Sequence, residues 1–329
     1  MYDQIRITTG ARLHFGFLAD PQAKGRAYGG LGVMIDRPGY RFTVRRAARD
    51  RIRSAGTAGE SVSTAYLDRV KKWVERYRES VGGAREFYEI DVNGIIPAHR
   101  GLGSGTQGAL AVAQAISLLA GDRSTSVLSL AKRVGRGARS AIGIHGFLRG
   151  GLLIDGGKTE SDDIGKLLIR EEFPHDWRFV LVAPSATEGF SGHAELQAFA
   201  KLPPMAESLT ERLCGLVLLE ILPAVQEQDA GRFGAALGEY GNIVGGHFAP
   251  LQGGIFANPR MAELAGEFRR EGIEGIAQSS WGPTIAILCA SPHAADDLSE
   301  RIHRDNRYSD CDIVAASGLN CGAILEFPA

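Results

Sequence analysis

The sequence predicts an α+β fold in two domains, and three observations carry that expectation. Strand-like and helix-like segments mix without a regular β-then-α alternation, which disfavours a doubly wound sheet. The chain has 329 residues, enough for two domains with separate cores. A fresh block of structure begins at Arg178–Ala183, so a boundary near Phe173–Trp177 divides a first domain, 1–174, from a second, 175–329.

In chain order, Gln4–Thr8 reads as a strand and leads into Gly10–Asp20. Gly29, Gly30 and Gly32 suggest a second turn before the apolar Leu31–Ile35 and a strand near Tyr40–Val44. The positive charges of Arg45–Arg53 suit a solvated strand end and turn. Val62–Val81 has helical periodicity, with Val62, Ala65, Tyr66, Val70, Trp73, Val74 and Tyr77 on a core face. Glu86–Val92 returns as a strand, and Ala109–Ala120 repeats apolar residues at helical spacing until Gly121. Leu128–Val134 is a further helix, and Gly150–Asp155 a buried strand. The second block reads as helices at Ser208–Gln228, Ala230–Val244 and Pro259–Glu271. Strands near Ile276, Thr284–Cys289, Asp312–Ala315 and Ala323–Phe327 then flank a helix at His293–Arg304.

Between the strand and the first long apolar helix lies Pro97-Ala-His-Arg-Gly-Leu-Gly-Ser-Gly-Thr-Gln107. Gly101, Gly103 and Gly105 let the backbone turn sharply and approach a ligand without Cβ clashes. Ser104, Thr106 and Gln107 add polar groups where unpaired amides and the helix dipole converge, a phosphate-binding arrangement. Glycine turns before helices also occur without ligands. The loop is neither a Walker loop, having no Lys-Ser/Thr after the last glycine, nor a dinucleotide fingerprint.

Two other stretches are candidates for chemistry. Gly135–Gly151 places Arg136, Arg139 and Arg149 in a glycine-rich loop, and arginine forks match phosphate and carboxylate geometry. A set of surface arginines, with His145 a satisfied core histidine, is the alternative. Gln278-Ser-Ser-Trp-Gly-Pro-Thr284 packs polar residues around a Trp between apolar strands, as a site or as a turn with Trp281 in the core.

Bulk properties exclude other classes. Lys plus Arg number 37 and Asp plus Glu 38, so a net charge of −1 implies no general attraction to nucleic acid. No apolar run is long enough to span a bilayer, and Met-Tyr-Asp-Gln-Ile-Arg lacks the features of a signal peptide. Cys214, Cys289, Cys311 and Cys321 form no C-x-x-C pair and read as ordinary buried thiols of a cytoplasmic protein.

The loop resembles motif 2 of the GHMP small-molecule kinase superfamily, Pro-x-x-x-Gly-Leu-Gly-Ser-Ser-Ala. That resemblance implies a ribosomal-protein-S5-like N-terminal domain, a ferredoxin-like C-terminal domain and a cleft between them. Where such kinases carry Pro-Ser-Gly-x-Asp, with the aspartate as base, this chain reads Arg139-Ser-Ala-Ile-Gly143. The phosphate loop is kept and the kinase acid is missing. With Ala11–Leu18, Gly29–Pro38, Gly135–Phe147 and Gln278–Thr284, the chain resembles the β-ribofuranosylaminobenzene 5′-phosphate synthase family over nearly its whole length.

That resemblance implies condensation of phosphoribosyl pyrophosphate with 4-aminobenzoate or 4-hydroxybenzoate, releasing CO₂ and pyrophosphate, in tetrahydromethanopterin biosynthesis. Under it, Arg12, Arg136 and Arg139 are candidates for the anionic groups, and His14 and His145 for orienting or protonating the para substituent. Ser140, Ser279, Ser280, Trp281 and Gly282 are candidates for substrate binding. Mg²⁺ is expected with Asp20 and Asp155 as ligand candidates, and no organic cofactor. A homodimer is left open. Two rivals stay open as well: an ATP-dependent kinase in which Asp20 or Asp155 replaces the lost base, and a non-catalytic ligand-binding protein.

Overall fold

A computed structural model describes residues 2–20, 25–55, 63–83, 86–159, 164–186 and 202–328. The first half is built on a sheet in which β1 (Gln4–Gly16), β2 (Gly30–Ala47), β3 (Arg51–Ser54) and β4 (Phe87–Gly94) stand in the order β1-β2-β4-β3. β5 (Leu152–Asp155) pairs with the first part of β2, and β6 (Leu167–Glu171) pairs with β5. Helix α2 (Ser104–Leu119) packs on β1 and β2, flanked by α1 (Thr64–Ser80), α3 (Val127–Arg133) and α4 (Ile142–Arg149).

The second half holds an antiparallel sheet in the order β10-β7-β9-β8, formed by β7 (Arg178–Pro184), β8 (Ile276–Gln278), β9 (Ile285–Cys289) and β10 (Cys311–Ser317). Its helices are α5 (Glu207–Leu216), continued through a π-turn at Val217–Ile221 into α6 (Leu222–Glu227), then α7 (Ala230–Gln252), α8 (Pro259–Arg270) and α9 (Pro292–Arg304). The strand β11 (Ile324–Glu326) leaves this half and pairs with β1.

Small residues explain how α2 reaches the centre. Its buried positions include Ala109, Ala111, Ala113 and Ala115, so the helix is enclosed almost all round and fits between the sheet and α1. One core cluster runs from Ile7 and Leu110 through Phe173 and Trp177 to Phe233 and Tyr240, joining both halves. A second, with Val180, Met261, Phe268, Ile287 and Leu298, lies within the C-terminal half.

Several expectations change. Gly10–Gly16 continues β1, and Gly30 and Gly32 lie inside β2, because the two strands pair from Gln4↔Arg45 to Gly16↔Leu31. Gly32 serves close packing there: a Cβ would come 2.5 Å from Ile142 Cγ2 and 2.6 Å from the Leu13 carbonyl. Within Arg45–Arg53, Arg51 onward forms the parallel strand β3, with Arg45 and Arg53 bonded to Asp91. Ile142–Arg149, read as loop, is helix α4, its start held by the Asp155 carboxylate. The strand of Ala323–Phe327 belongs to the first sheet, and β6 was not anticipated. Val62 lies outside the described residues. Of the four thiols, all free, Cys289 is buried, Cys214 and Cys311 are intermediate, and Cys321 is exposed, so they are not uniformly core residues.

The α1–α2 contact yields a stability prediction. A Cβ on Gly108 would meet the Trp73 ring at 2.2 Å. Overpacking there outweighs the gain in helix propensity, so Gly108→Ala is expected to lower stability by about 1–3 kcal/mol. Urea unfolding measures this, and an unchanged or higher midpoint contradicts such tight packing.

Candidate functional site

The glycine loop is shaped by what lies on top of it. Gly101 and Gly103 both have φ of 76°, the left-handed region, and Gly103 is the N-cap of α2. A Cβ on Gly103 would stand 2.6 Å from Arg12 Cγ, and one on Gly105 would stand 3.2 Å from Arg136 Nη1. Two arginines therefore lie directly over the start of α2, against bare backbone. The β1 backbone fixes Arg12, whose amide donates to the Leu102 carbonyl at 3.1 Å and whose Nη1 donates to the Gly101 carbonyl at 2.5 Å. The amides of Ser104 and Gly105 open the helix, where intrahelical partners are lacking.

A cleft opens beside the loop and collects residues from distant parts of the chain. Arg12 and His14 come from β1, Thr106 from α2, and Arg136, Arg139 and Ser140 from the segment before α4. Phe248 and Gln252 come from α7, Gln278 from the end of β8, and Ser280 and Trp281 from the stretch after it. Phe17, Phe248 and Trp281 build an aromatic wall, with ring centroids 6.2 Å apart for Phe17–Phe248 and 4.6 Å for Phe248–Trp281. His14 meets this wall edge-on, 5.6 Å from Phe17. Among the described residues, no Asp or Glu lines the cleft. It is cationic at one part of its wall and aromatic at another.

The electrostatics follow from that lining. Burial, then Arg12 and Arg139, hold the His14 imidazole well below its ordinary value, so it is neutral at pH 7. Its Nε2 is buried with no hydrogen-bond partner, in the space that Gly30 leaves by having no side chain. Arg136 is pushed down to about 10 by burial and by Arg76, Arg69 and Arg139. The cleft thus raises the free energy of its own positive charge, as expected of a site built for anions.

Other residues read as chemical from the sequence are struts. Gln107 is fully buried: its Oε1 accepts from Thr9 Oγ1 at 2.7 Å and its Nε2 donates to the Gly143 carbonyl at 2.7 Å. The Gln107 side chain therefore ties β1, α2 and α4 together and does not reach a phosphate. Ser279 is also fully buried; its Oγ donates to the Gly101 carbonyl at 2.8 Å and accepts from the His14 amide at 3.1 Å. It joins the third stretch to the loop, leaving Ser280 and Trp281 to face the cleft. Gly282, with φ of 63°, shapes that turn. Ser104 Oγ accepts from Arg69 Nη2 at 3.5 Å. Buried His145 donates from Nε2 to the Gly165 carbonyl at 2.8 Å and does not line the cleft, so a role at the para substituent is withdrawn. These groups are buried, and buried polar atoms must find partners.

The two carboxylates considered for Mg²⁺ do not fit it. Asp155 is fully buried and accepts from the Ala141 amide at 2.6 Å and the Gly157 amide at 2.9 Å, while burial raises its pKa. Asp20 accepts from the Met205 amide at 3.1 Å and lies 3.5 Å from His247 Nε2. Neither lines the cleft, and among the described residues no group of three His, Cys, Asp or Glu side chains is placed to hold a metal ion. The same engagements leave neither acid placed to act as a kinase base.

Sequence reasoning missed Phe17, Phe248 and Gln252, and the arginines of α1. Arg69 and Arg76 are seven residues apart, so helical spacing alone marks them as one stripe. Phe248 carried no local signal.

Two predictions follow from this geometry. Gly103→Val is expected to abolish binding of inorganic pyrophosphate in calorimetry while the protein still unfolds cooperatively, since its side chain would displace Arg12. Retained binding would detach the loop from the site. Because folded His14 binds fewer protons than the unfolded chain, stability falls as pH drops through about 6.5 and recovers as pH rises. His14→Gln should therefore lose less stability than the wild type between about pH 7.5 and 5.5 in urea unfolding; parallel profiles would contradict it.

Comparison with known proteins agrees with this architecture. Residues 68–151 match the GHMP kinases N terminal domain, and residues 221–307 match the GHMP kinases C terminal domain. A β-ribofuranosylphenol 5′-phosphate synthase of Methanothermobacter thermautotrophicus is 27% identical over 99% of this chain and 99% of its own length. That of Methanocaldococcus jannaschii is 29% identical, covering 95% of this chain and 98% of its own. Among solved structures, homoserine kinase from Cytophaga hutchinsonii superposes with a TM-score of 0.63 at 18% identity, covering 99% of this chain and 98% of its own, a likeness of fold. Nearly the whole length is similar to the β-ribofuranosylphenol 5′-phosphate synthases, and both halves carry the domains of one family: the chain belongs to the GHMP kinase superfamily.

Proposed function

We propose that this protein is a phosphoribosyl-transferring synthase that joins phosphoribosyl pyrophosphate to 4-hydroxybenzoate, releasing CO₂ and pyrophosphate. The observation that carries the reading is the lining of the cleft. Arginines and a helix start suit a phosphorylated donor, an aromatic wall suits a benzoate ring, and no carboxylate is present among the described lining residues. Kinases of this superfamily use an aspartate as base for their hydroxyl substrate, and among the described residues no carboxylate lines this cleft. The choice of the hydroxy acid over 4-aminobenzoate rests on the relatives, which are named for a phenol product.

In this reaction the bond from C1 of the ribose to pyrophosphate breaks, its electron pair leaving with pyrophosphate oxygen. A ring π pair forms the new bond between C1 and the carbon bearing the carboxylate. The carbon–carboxylate bond then breaks, its pair restores aromaticity, and CO₂ departs. Positive charge spread over C1 and the ring requires no side-chain nucleophile, but it does require that water be kept out. Phe17, Phe248 and Trp281 supply an apolar wall for that purpose. Arg12 and Arg139 are assigned to anionic groups of the two substrates. His14, neutral at pH 7, is assigned to the para hydroxyl: it takes that proton as the ring attacks and returns it after CO₂ leaves. Mg²⁺ with the pyrophosphate, a homodimer, a cytoplasmic location and a place in tetrahydromethanopterin biosynthesis belong to the same proposal.

Incubation with phosphoribosyl pyrophosphate and 4-hydroxybenzoate is expected to release CO₂ and pyrophosphate in equal amounts, faster than with 4-aminobenzoate. ADP from ATP with an alcohol substrate, and no CO₂, would point to a kinase; neither product would point to a binding protein. Trp281→Ala is expected to raise KM for the benzoate by about tenfold or more while donor affinity stays unchanged, through loss of buried aromatic contact. An equal loss for both substrates would contradict the aromatic assignment.

A further inference from the structure

The α1 helix brings two arginines that the motifs do not contain up to residues bordering the cleft, Arg69 to Ser104 and Arg76 to Gly135. Arg69 and Arg76 stand about two helical turns apart on one stripe. The Arg69 guanidinium lies 5.5 Å from the Tyr66 ring centroid and 5.6 Å from that of Trp73, which holds it beside Ser104 at the start of α2. Arg76 Nη2 lies 2.5 Å from where a Cβ of Gly135 would stand. The next residue, Arg136, lays its guanidinium over Gly105 from the other side. Among the described residues none of these three has a carboxylate within ion-pair distance, and Arg69 Nη1 and Arg136 Nε are buried without a hydrogen-bond partner. Arg69 and Arg136 thus flank one helix start and Arg76 stands beside Arg136, with no carboxylate paired to any of the three among the described residues, although each repels the others.

We propose that Arg69, Arg76 and Arg136, with the first amides of α2, form a subsite for the pyrophosphate of the sugar donor, distinct from the part of the cleft held by His14 and Arg139. The assignment rests on the synthase reading. Pyrophosphate carries more negative charge than a phosphomonoester, and this group of cations stands where the helix dipole adds to it. Displacement at C1 puts the attacking ring opposite the departing group. The aromatic wall is built by the residue after β1, by α7 and by the stretch after β8, whereas these cations come from α1 and the segment after α3. Arg76 is exposed, so the leaving group sits where it can pass into solvent.

The test titrates the full-length protein with inorganic pyrophosphate and, separately, with ribose 5-phosphate, by calorimetry in the presence of a chelator. Arg76→Gln is expected to weaken pyrophosphate by about tenfold or more and ribose 5-phosphate by less than about twofold, as loss of one charge-assisted contact to one ligand. Arg69→Lys, which keeps the charge without the planar fork, should give a smaller loss confined to pyrophosphate. Unchanged pyrophosphate affinity in Arg76→Gln, or an equal loss for both ligands, would overturn the subsite. If the wild type still releases CO₂ from the two substrates, that failure concerns the subsite alone. If it releases none and does not bind pyrophosphate, the synthase reading fails with it.

Discussion

The cleft depends on backbone that carries no side chains at the start of α2. Arg12 and Arg136 occupy the space where Cβ atoms of Gly103 and Gly105 would be, so the loop's glycines bring cations against helix amides. Gly101 does the same for the opposite wall, since its missing Cβ would meet the Ser279 carbonyl at 2.1 Å. One short loop thereby joins β1, the segment before α4 and the stretch after β8, which are far apart in sequence. With side chains at these positions the three walls would move apart and the cations would lose their common focus.

Collecting that much positive charge opposes folding. Arg136 is held to about 10 chiefly by burial, with the neighbouring arginines adding to it, and His14 is kept neutral by burial with Arg12 and Arg139 beside it. Such an arrangement persists because the surrounding core over-determines it. The cluster running from Ile7 to Tyr240 crosses between the two halves and fixes the walls independently of any ligand. An anion entering the cleft then relieves repulsion already present, and this coupling makes the ligand a stabiliser of the fold.

A second layer of polar residues holds the site without entering it. Gln107 spans Thr9 and Gly143, Ser279 spans His14 and Gly101, His145 holds Gly165, and Asp155 caps the start of α4. Each is the kind of residue that suggests chemistry in a sequence. Each is buried, so its hydrogen-bonding capacity is spent on backbone and neighbouring side chains. The residues that face the cleft are their neighbours: Thr106 beside Gln107, Ser280 and Trp281 beside Ser279.

The sequence by itself determined the α+β class, the phosphate-type loop before α2, the missing kinase acid and the family, because these reside in local spacing and residue identity. It also marked Arg12, Arg136, Arg139, His14 and Trp281, all of which line one cleft. Only the tertiary structure decided which polar residue of each motif faces that cleft and which is a strut, since a shift of one residue turns a side chain from one face to the other. It alone placed Phe248 beside Trp281 and Arg69 beside Ser104, contacts between residues separated by whole elements. It also returned β11 to the first sheet and turned Gly30 and Gly32 from a turn into strand. Strand pairing over long sequence separation outweighs the local preference of glycine for turns, and that pairing energy is not written in any single segment.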